Sequence, residues 1–190
     1  MIIALNKPYG FLSQFNKNPD YPGQRTLLEL GLPPELRPVG RLDMDSEGLL
    51  LLTNEADLER RLLDPEKSHK RSYLVQVDGC PDYGAIQQLR QGGLEIRGYQ
   101  TKKCRAELMA SAPALAEREP AVDPIAASRS RWLRIELTEG KNRQVRRMTA
   151  KVGFPTLRLV RESIGSFTLQ DIASGMWRVL SEEECAQLWK

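Results

Sequence analysis

Apolar and polar positions along the chain fall into short segments. Residues 1–5 form an apolar run stopped by Lys7-Pro8-Tyr9-Gly10, which reads as a strand entering a turn. A second short strand is expected at 11–15, a polar loop at 16–23, and a turn or two of helix at 26–30 before Gly31 and Pro33-Pro34. Leu49-Leu50-Leu51-Leu52 is a continuous apolar run bounded by turn signals, as a strand buried on both faces would be. Asn54 can cap a helix that carries Leu58, Leu62 and Leu63 on one side and ends at Asp64-Pro65.

Beyond that point strand-like segments dominate. Tyr73, Val75 and Val77 alternate with Leu74, Gln76 and Asp78, which predicts a strand. Asp82 caps a helix to about Arg90, and Gly92-Gly93 ends it. Strands are expected at 94–97, 104–109, 132–137, 155–160, 167–169 and 176–180. The stretch 110–130, rich in Ala, Pro and Ser, reads as a long surface loop. A helix is expected at 143–152, with Val145, Met148 and Val152 at helical spacing and Gly153 at its end. Ser181 with Glu184 three residues on is a capping-box pattern that opens a last helix. Many strands interrupted by a few helices, without strict βαβ alternation, predict an α+β fold with a mixed or antiparallel sheet.

Composition narrows the class. The 190 residues suffice for one large domain or two small lobes. No apolar run approaches the length of a membrane span, and the N-terminus lacks the pattern of a secretory signal. Cys80, Cys104 and Cys185 are far apart and odd in number, and with the single His69 they make no zinc spacing. A reducing, cytoplasmic setting is expected. Net charge is only +3, but seven basic residues lie between 141 and 161 without an acidic one: Lys141, Arg143, Arg146, Arg147, Lys151, Arg158 and Arg161. Lys67, His69, Lys70 and Arg71 form a second basic group. A field polarised in this way draws a polyanion, although a solvated helix face has the same appearance.

Two segments could carry chemistry. In Gly40-Arg41-Leu42-Asp43-Met44-Asp45-Ser46-Glu47-Gly48, three carboxylates sit in a loop just before the buried strand, and Gly40 and Gly48 flank them. Loops fixed to rigid strands are where catalytic groups are held, and glycines allow backbone and substrate to approach closely. A plain turn with surface acids is the alternative. In Glu139-Gly140-Lys141-Asn142-Arg143-Gln144-Val145-Arg146-Arg147-Met148, a glycine turn delivers arginines to a helix start. The helix dipole favours negative charge there, so those arginines suit a bound anion instead.

In these motifs the chain resembles the bacterial ribosomal pseudouridine synthases of the small-subunit enzyme A type. Asn6-Lys7-Pro8-Tyr9-Gly10 is similar to the family's first motif, and Gly40 through Asn54 to its second, which holds the catalytic aspartate. Arg71-Ser72-Tyr73-Leu74-Val75 resembles the strand with the active-site tyrosine. Glu139 through Met148, with Leu159, Arg161, Ile164 and Gly165, resembles the closing motif. Most of the family carries an N-terminal S4-like RNA-binding domain. This chain begins almost at the first motif, which resembles the compact large-subunit members, and a catalytic domain trimmed from a longer chain would read alike. Where the family usually has lysine two residues before the tyrosine, this chain has Arg71 beside Lys70.

The resemblance implies a single catalytic domain over 1–190, a pseudouridine synthase fold with its active-site cleft between two lobes. It implies isomerisation of a uridine in ribosomal RNA, with large-subunit 23S RNA as the expected partner. The reaction needs no redox step or external group, so no cofactor and no metal are expected. No membrane is expected as partner. Nothing such as a heptad pattern points to an oligomer, so a monomer is expected. The catalytic residues it implies are Asp43, with Arg146 as the guanidinium that keeps it ionised (Arg147 competing for that place), and Tyr73 as ring and hydroxyl against the uracil. Arg41 is expected to help hold the flipped nucleotide. Lys70, Arg71, Lys141, Arg143, Arg147 and Lys151 are expected on RNA, and Lys7, Pro8, Gly40 and Gly48 to support the aspartate loop.

Overall fold

The computed structural model describes residues 1–64, 69–169 and 171–189, and all but the side chain of Leu58 among them. The expectations for Pro65, Lys67 and the Leu58 side chain therefore lie outside the described residues. The elements in chain order are β1 (Ile2–Lys7), β2 (Phe11–Leu12), β3 (Arg25–Thr26), a 3-10 turn (Leu27–Leu30), β4 (Arg37–Pro38), β5 (Glu47–Thr53), α1 (Ala56–Leu63), β6 (Arg71–Val77), α2 (Tyr83–Gln91), β7 (Glu95–Ile96) and β8 (Tyr99–Gln100). They continue with β9 (Arg105–Leu108), α3 (Pro124–Arg129), β10 (Arg131–Leu137), α4 (Gln144–Lys151), β11 (Thr156–Ile164), β12 (Phe167–Thr168), β13 (Trp177–Val179) and α5 (Glu182–Gln187). The fold is α+β with a mostly antiparallel sheet, as the strand-rich pattern predicts. The chain divides into two compact units, Met1–His69 with Arg161–Lys190, and Lys70–Val160.

In the first unit β1 pairs antiparallel with β5 on one side, Ile2 opposite Thr53 through Lys7 opposite Gly48, and with β13 on the other. Successive residues of a strand face opposite sides of the sheet. Ile2, Ala4, Leu49 and Leu51 accordingly join one apolar cluster, with Phe167, Ile172 and Leu188. Ile3, Leu5, Leu50 and Leu52 join another, with Leu27, Leu32, Leu36 and Leu42. Both faces are covered, which explains an unbroken leucine run where one buried face would need alternation. Each of those four leucines is completely buried, worth about 2 kcal/mol apiece.

In the second unit β6, β10 and β9 run antiparallel, with Tyr73 opposite Ile135 and Val75 opposite Leu133. Their inner face packs on Ile86 and Leu89 of α2 and on Val145 and Met148 of α4. Asp82 caps α2 by accepting the Ala85 N–H at 2.7 Å. Ser181 and Glu184 form the expected capping box on α5 in the first unit.

Several expectations need correction. The N-cap of α1 is Glu55, not Asn54, and it makes no side-chain cap bond. The Asn54 Oδ1 instead accepts from the N-terminal amine at 3.3 Å, while Thr53 Oγ1 takes the Glu55 N–H at 3.1 Å. The stretch 110–130 is not all loop: Asp123 caps α3 through the Ala126 N–H at 2.9 Å, with Pro124 opening the helix. The strand expected from the alternation at 73–78 is present as β6, where every residue from Ser72 to Val77 is buried and the polar Gln76 donates to Ser130 Oγ at 2.8 Å. Arg143 is not the first residue of α4 but its N-cap, in left-handed conformation at φ 52°. The strand expected at 11–15 is only Phe11–Leu12, and the one at 155–160 extends to Ile164.

Candidate active site

Asp43 sits half-buried in the loop between β4 and β5, in the first unit. The loop is held along its length. Ser13 Oγ accepts the Leu42 N–H at 3.0 Å and donates to the Leu42 carbonyl at 2.8 Å, clamping the residue before Asp43. The Asp43 carbonyl accepts the Ser46 N–H at 3.0 Å, closing a turn, and the Met44 carbonyl accepts the Gly10 N–H at 2.8 Å. Arg41 is exposed on the entering side, and Gly40 turns the chain at φ +71°. Ser13 carries no local signal of this task, since its partner lies 29 residues away. Ser13→Ala is expected to leave both Leu42 groups unsatisfied and to lower stability by about 1–3 kcal/mol, measurable as a reduced denaturation midpoint.

Lys7 and Gly48 face each other across β1 and β5 and tie the base of this loop. Lys7 is fully buried, and its Nζ donates to the carbonyls of Pro8 at 2.9 Å and Phe11 at 2.7 Å. It thus closes the turn that contains Gly10, and Gly10 bonds the Asp43 loop. Pro8 is half-buried within the same turn. Gly48 lies against the backbone of Arg161, whose Nε donates to the Leu49 carbonyl at 2.7 Å.

Burial lowers the Lys7 pKa from 10.5 to about 7, against the pull of the Glu47, Asp45 and Asp43 carboxylates, with Arg161 adding to the lowering. Between those two values the unfolded chain holds the lysine proton and the folded chain has released it. Stability therefore rises with pH from about 7 to 10.5, by at most ~1.4 kcal/mol per pH unit. Subtracting the pH–stability curve of Lys7→Met from that of the wild type is expected to isolate this slope.

The second unit carries Tyr73, Arg146 and the basic segment as far as Arg158, while Arg161 belongs to the first. Tyr73, on β6, is 9% exposed and belongs to the apolar core, so its ring is fixed by packing. Arg71 stands opposite Leu137 on β10, and its Nη1 lies 3.9 Å from where a β-carbon on Gly140 would be. Lys70 is exposed and faces Glu136 at 4.0 Å. On α4, Arg146 is half-buried and its Nη1 donates to the Thr156 carbonyl at 3.4 Å. Arg147 instead folds back on Asn142, donating to its carbonyl and to its Oδ1 at 2.7 Å. Lys141, Arg143 and Lys151 are exposed.

The loop that presents these cations is organised by Glu139, whose carboxylate is nearly buried. It accepts from the Tyr99 hydroxyl, from the Gln144 side-chain amide and from the Lys102 N–H at 3.0 Å. The Gln144 Oε1 takes the Lys141 N–H at 2.9 Å, and the Lys141 Nζ sits 4.7 Å from the centre of the Tyr99 ring. The bond to Glu139 pushes the Tyr99 phenol up to about 12, so it stays a donor at neutral pH. Glu139 and Gln144 belong to the closing motif, but their work on the loop shows only in the structure.

Among the described residues no group of His, Cys, Asp and Glu is placed to hold a metal ion, and no helix is long and apolar enough to cross a membrane. The family model described as RNA pseudouridylate synthase matches residues 1–151. The ribosomal large subunit pseudouridine synthase E of Xanthomonas campestris pv. campestris is 49% identical over 179 residues, covering 94% of this chain and 95% of that one. The synthase of the same name from Vibrio vulnificus is 46% identical over 95% of this chain and 75% of its own. A crystal structure of a pseudouridylate synthase aligns with 98% of this chain and 73% of that one, at a TM-score of 0.78 and 25% identity. A family model spanning most of the chain and a relative matched nearly end to end agree with the fold, and the chain belongs to the RNA pseudouridylate synthase family.

Proposed function

We propose that this chain isomerises a uridine of ribosomal RNA, in the large subunit, to pseudouridine, with Asp43 as the essential carboxylate. The near end-to-end match to relatives named ribosomal large subunit pseudouridine synthase E carries the substrate class. In the reaction the C1′–N1 bond breaks, the uracil rotates and a C1′–C5 bond forms. C5 gives up its hydrogen and N1 gains one, so the product is an isomer and no electrons are gained or lost. Asp43 serves by attacking C1′, or by taking a proton from the sugar so that a glycal forms. Either route requires a carboxylate anion, and the guanidinium that pairs with it is assigned to Arg146.

Tyr73 is assigned to the uracil, its ring as a stacking face and its hydroxyl for proton transfer at C5. Its rigid packing supports that role, because a fixed group loses little freedom when substrate binds. A stacked uridine must be extruded, at a cost of a few kcal/mol, and exposed Arg41 beside the Asp43 loop is assigned to holding the flipped state. Lys70, Arg71, Lys141, Arg143, Arg147 and Lys151 are assigned to phosphates, which position RNA without reading its sequence.

Tritium release from [5-³H]uridine-labelled large-subunit RNA tests the reading. The wild-type chain is expected to release tritium to a fixed stoichiometry per RNA. Salt-sensitive RNA binding without any release, on naked RNA and on ribosomal particles alike, would replace the enzyme by an RNA-binding assembly factor on the same fold.

A further inference from the structure

The segment 97–105 reads Arg-Gly-Tyr-Gln-Thr-Lys-Lys-Cys-Arg, four basic residues with no acidic one among them. It begins at the tip of a tight hairpin. β7 and β8 are joined by Arg97 at φ 51° and Gly98 at φ 74°, the pair of left-handed residues that a two-residue hairpin turn requires. Arg97, Lys102 and Lys103 are exposed.

The segment behind the hairpin is held in place by its backbone. The Gly93 N–H donates to the Thr101 carbonyl at 2.7 Å, the Thr101 N–H to the Leu94 carbonyl at 3.1 Å, and the Cys104 N–H to the Arg90 carbonyl at 3.2 Å. Glu139 then joins this piece to the 139–144 loop, because Tyr99 and Lys102 on one side and Gln144 on the other share its carboxylate. Lys141 lies on the Tyr99 ring. Two cationic segments far apart in sequence thus meet on one side of the second unit. Of the nearby acids, Glu139 is nearly buried and Glu136 faces Lys70 and Arg105.

We infer that Arg97, Lys102 and Lys103 form a second phosphate-binding face, fixed to the 139–144 loop through Glu139, that takes RNA backbone. The inference rests on the reading of the chain as an RNA-modifying enzyme. Cations on a rigid hairpin suit phosphates because they need little ordering when the RNA arrives, and every contact made releases counterions.

The test is the affinity of the full chain for a fluorescently labelled large-subunit RNA fragment across a potassium chloride series. The triple variant Arg97→Gln, Lys102→Gln, Lys103→Gln is expected to lower the slope of log affinity against log salt by about 2 or more, at roughly 0.7–0.9 per lost contact. At about 0.1 M salt its affinity is expected to fall ~10-fold or more. The thermal midpoint should match the wild type, since all three side chains are exposed. An unchanged slope and affinity overturn the inference. If Lys141→Gln lowers the slope while the triple variant does not, and wild type still releases tritium, only the second face is lost. If neither variant lowers it and wild type releases no tritium, both readings fall.

Discussion

Asp43→Asn is expected to reduce tritium release from labelled RNA by at least about 1,000-fold, the loss typical when a group that attacks or moves a proton is removed. Asparagine has nearly the same size and can still accept and donate hydrogen bonds. It can neither attack C1′ as an anion nor take a proton from the sugar, so the variant separates charge and nucleophilicity from shape. The loop should survive, because the bonds that hold it use the backbone of Leu42, Asp43 and Met44 and the hydroxyl of Ser13. RNA affinity should stay within a few-fold of wild type. Retention of activity within about 10-fold would sink the assignment and move it to Asp45, the half-buried carboxylate two residues on.

Gly48→Ala is the substitution expected to damage stability most. The position has φ +99°, and a β-carbon there would lie 2.4 Å from the Arg161 carbonyl oxygen and 2.7 Å from its amide nitrogen. Both obstacles are backbone, so no side-chain rotation relieves them. Strain at positive φ costs about 1–2 kcal/mol and forced separation of packed backbone about 1–3 more. The sum, about 2–5 kcal/mol, corresponds to a fall in thermal midpoint of about 4–20 °C for a chain of this size. A shift of under about 2 °C would mean that the strands part easily and that the close approach is not a structural need. Gly40→Ala is a useful contrast, because its nearest neighbour is the Leu63 Cδ2 at 3.2 Å, a side-chain atom able to move.

What the sequence could reveal depended on how far apart the cooperating groups are. Asp82 and Ala85, or Ser181 and Glu184, lie three residues apart, and such caps are written in local order. The leucine run of β5 was legible because burial on both faces leaves no polar position to interrupt it. Asp123-Pro124 carried the start signal of α3, but the surrounding Ala, Pro and Ser composition hid it. The alternation in β6 marked a strand, while the burial of both its faces shows only in the folded chain. For the candidate site, the motifs singled out Asp43, Tyr73 and the basic loop from the sequence alone. Ser13 on Leu42 and Tyr99 on Glu139 span 29 and 40 residues, and only folding brings them together.

The division of the chain also bears on the order in which it is made. The second unit is one uninterrupted stretch, Lys70–Val160, whereas the first consists of Met1–His69 and Arg161–Lys190. A ribosome therefore delivers all of the second unit's core before it delivers β13, the strand that flanks β1. Until then β1 has β5 on one side and an unpaired edge on the other, and an unpaired apolar strand invites pairing with other chains. The half of the protein that begins first is completed last, and β1 is a segment of the nascent chain that needs protection from aggregation until β13 is made.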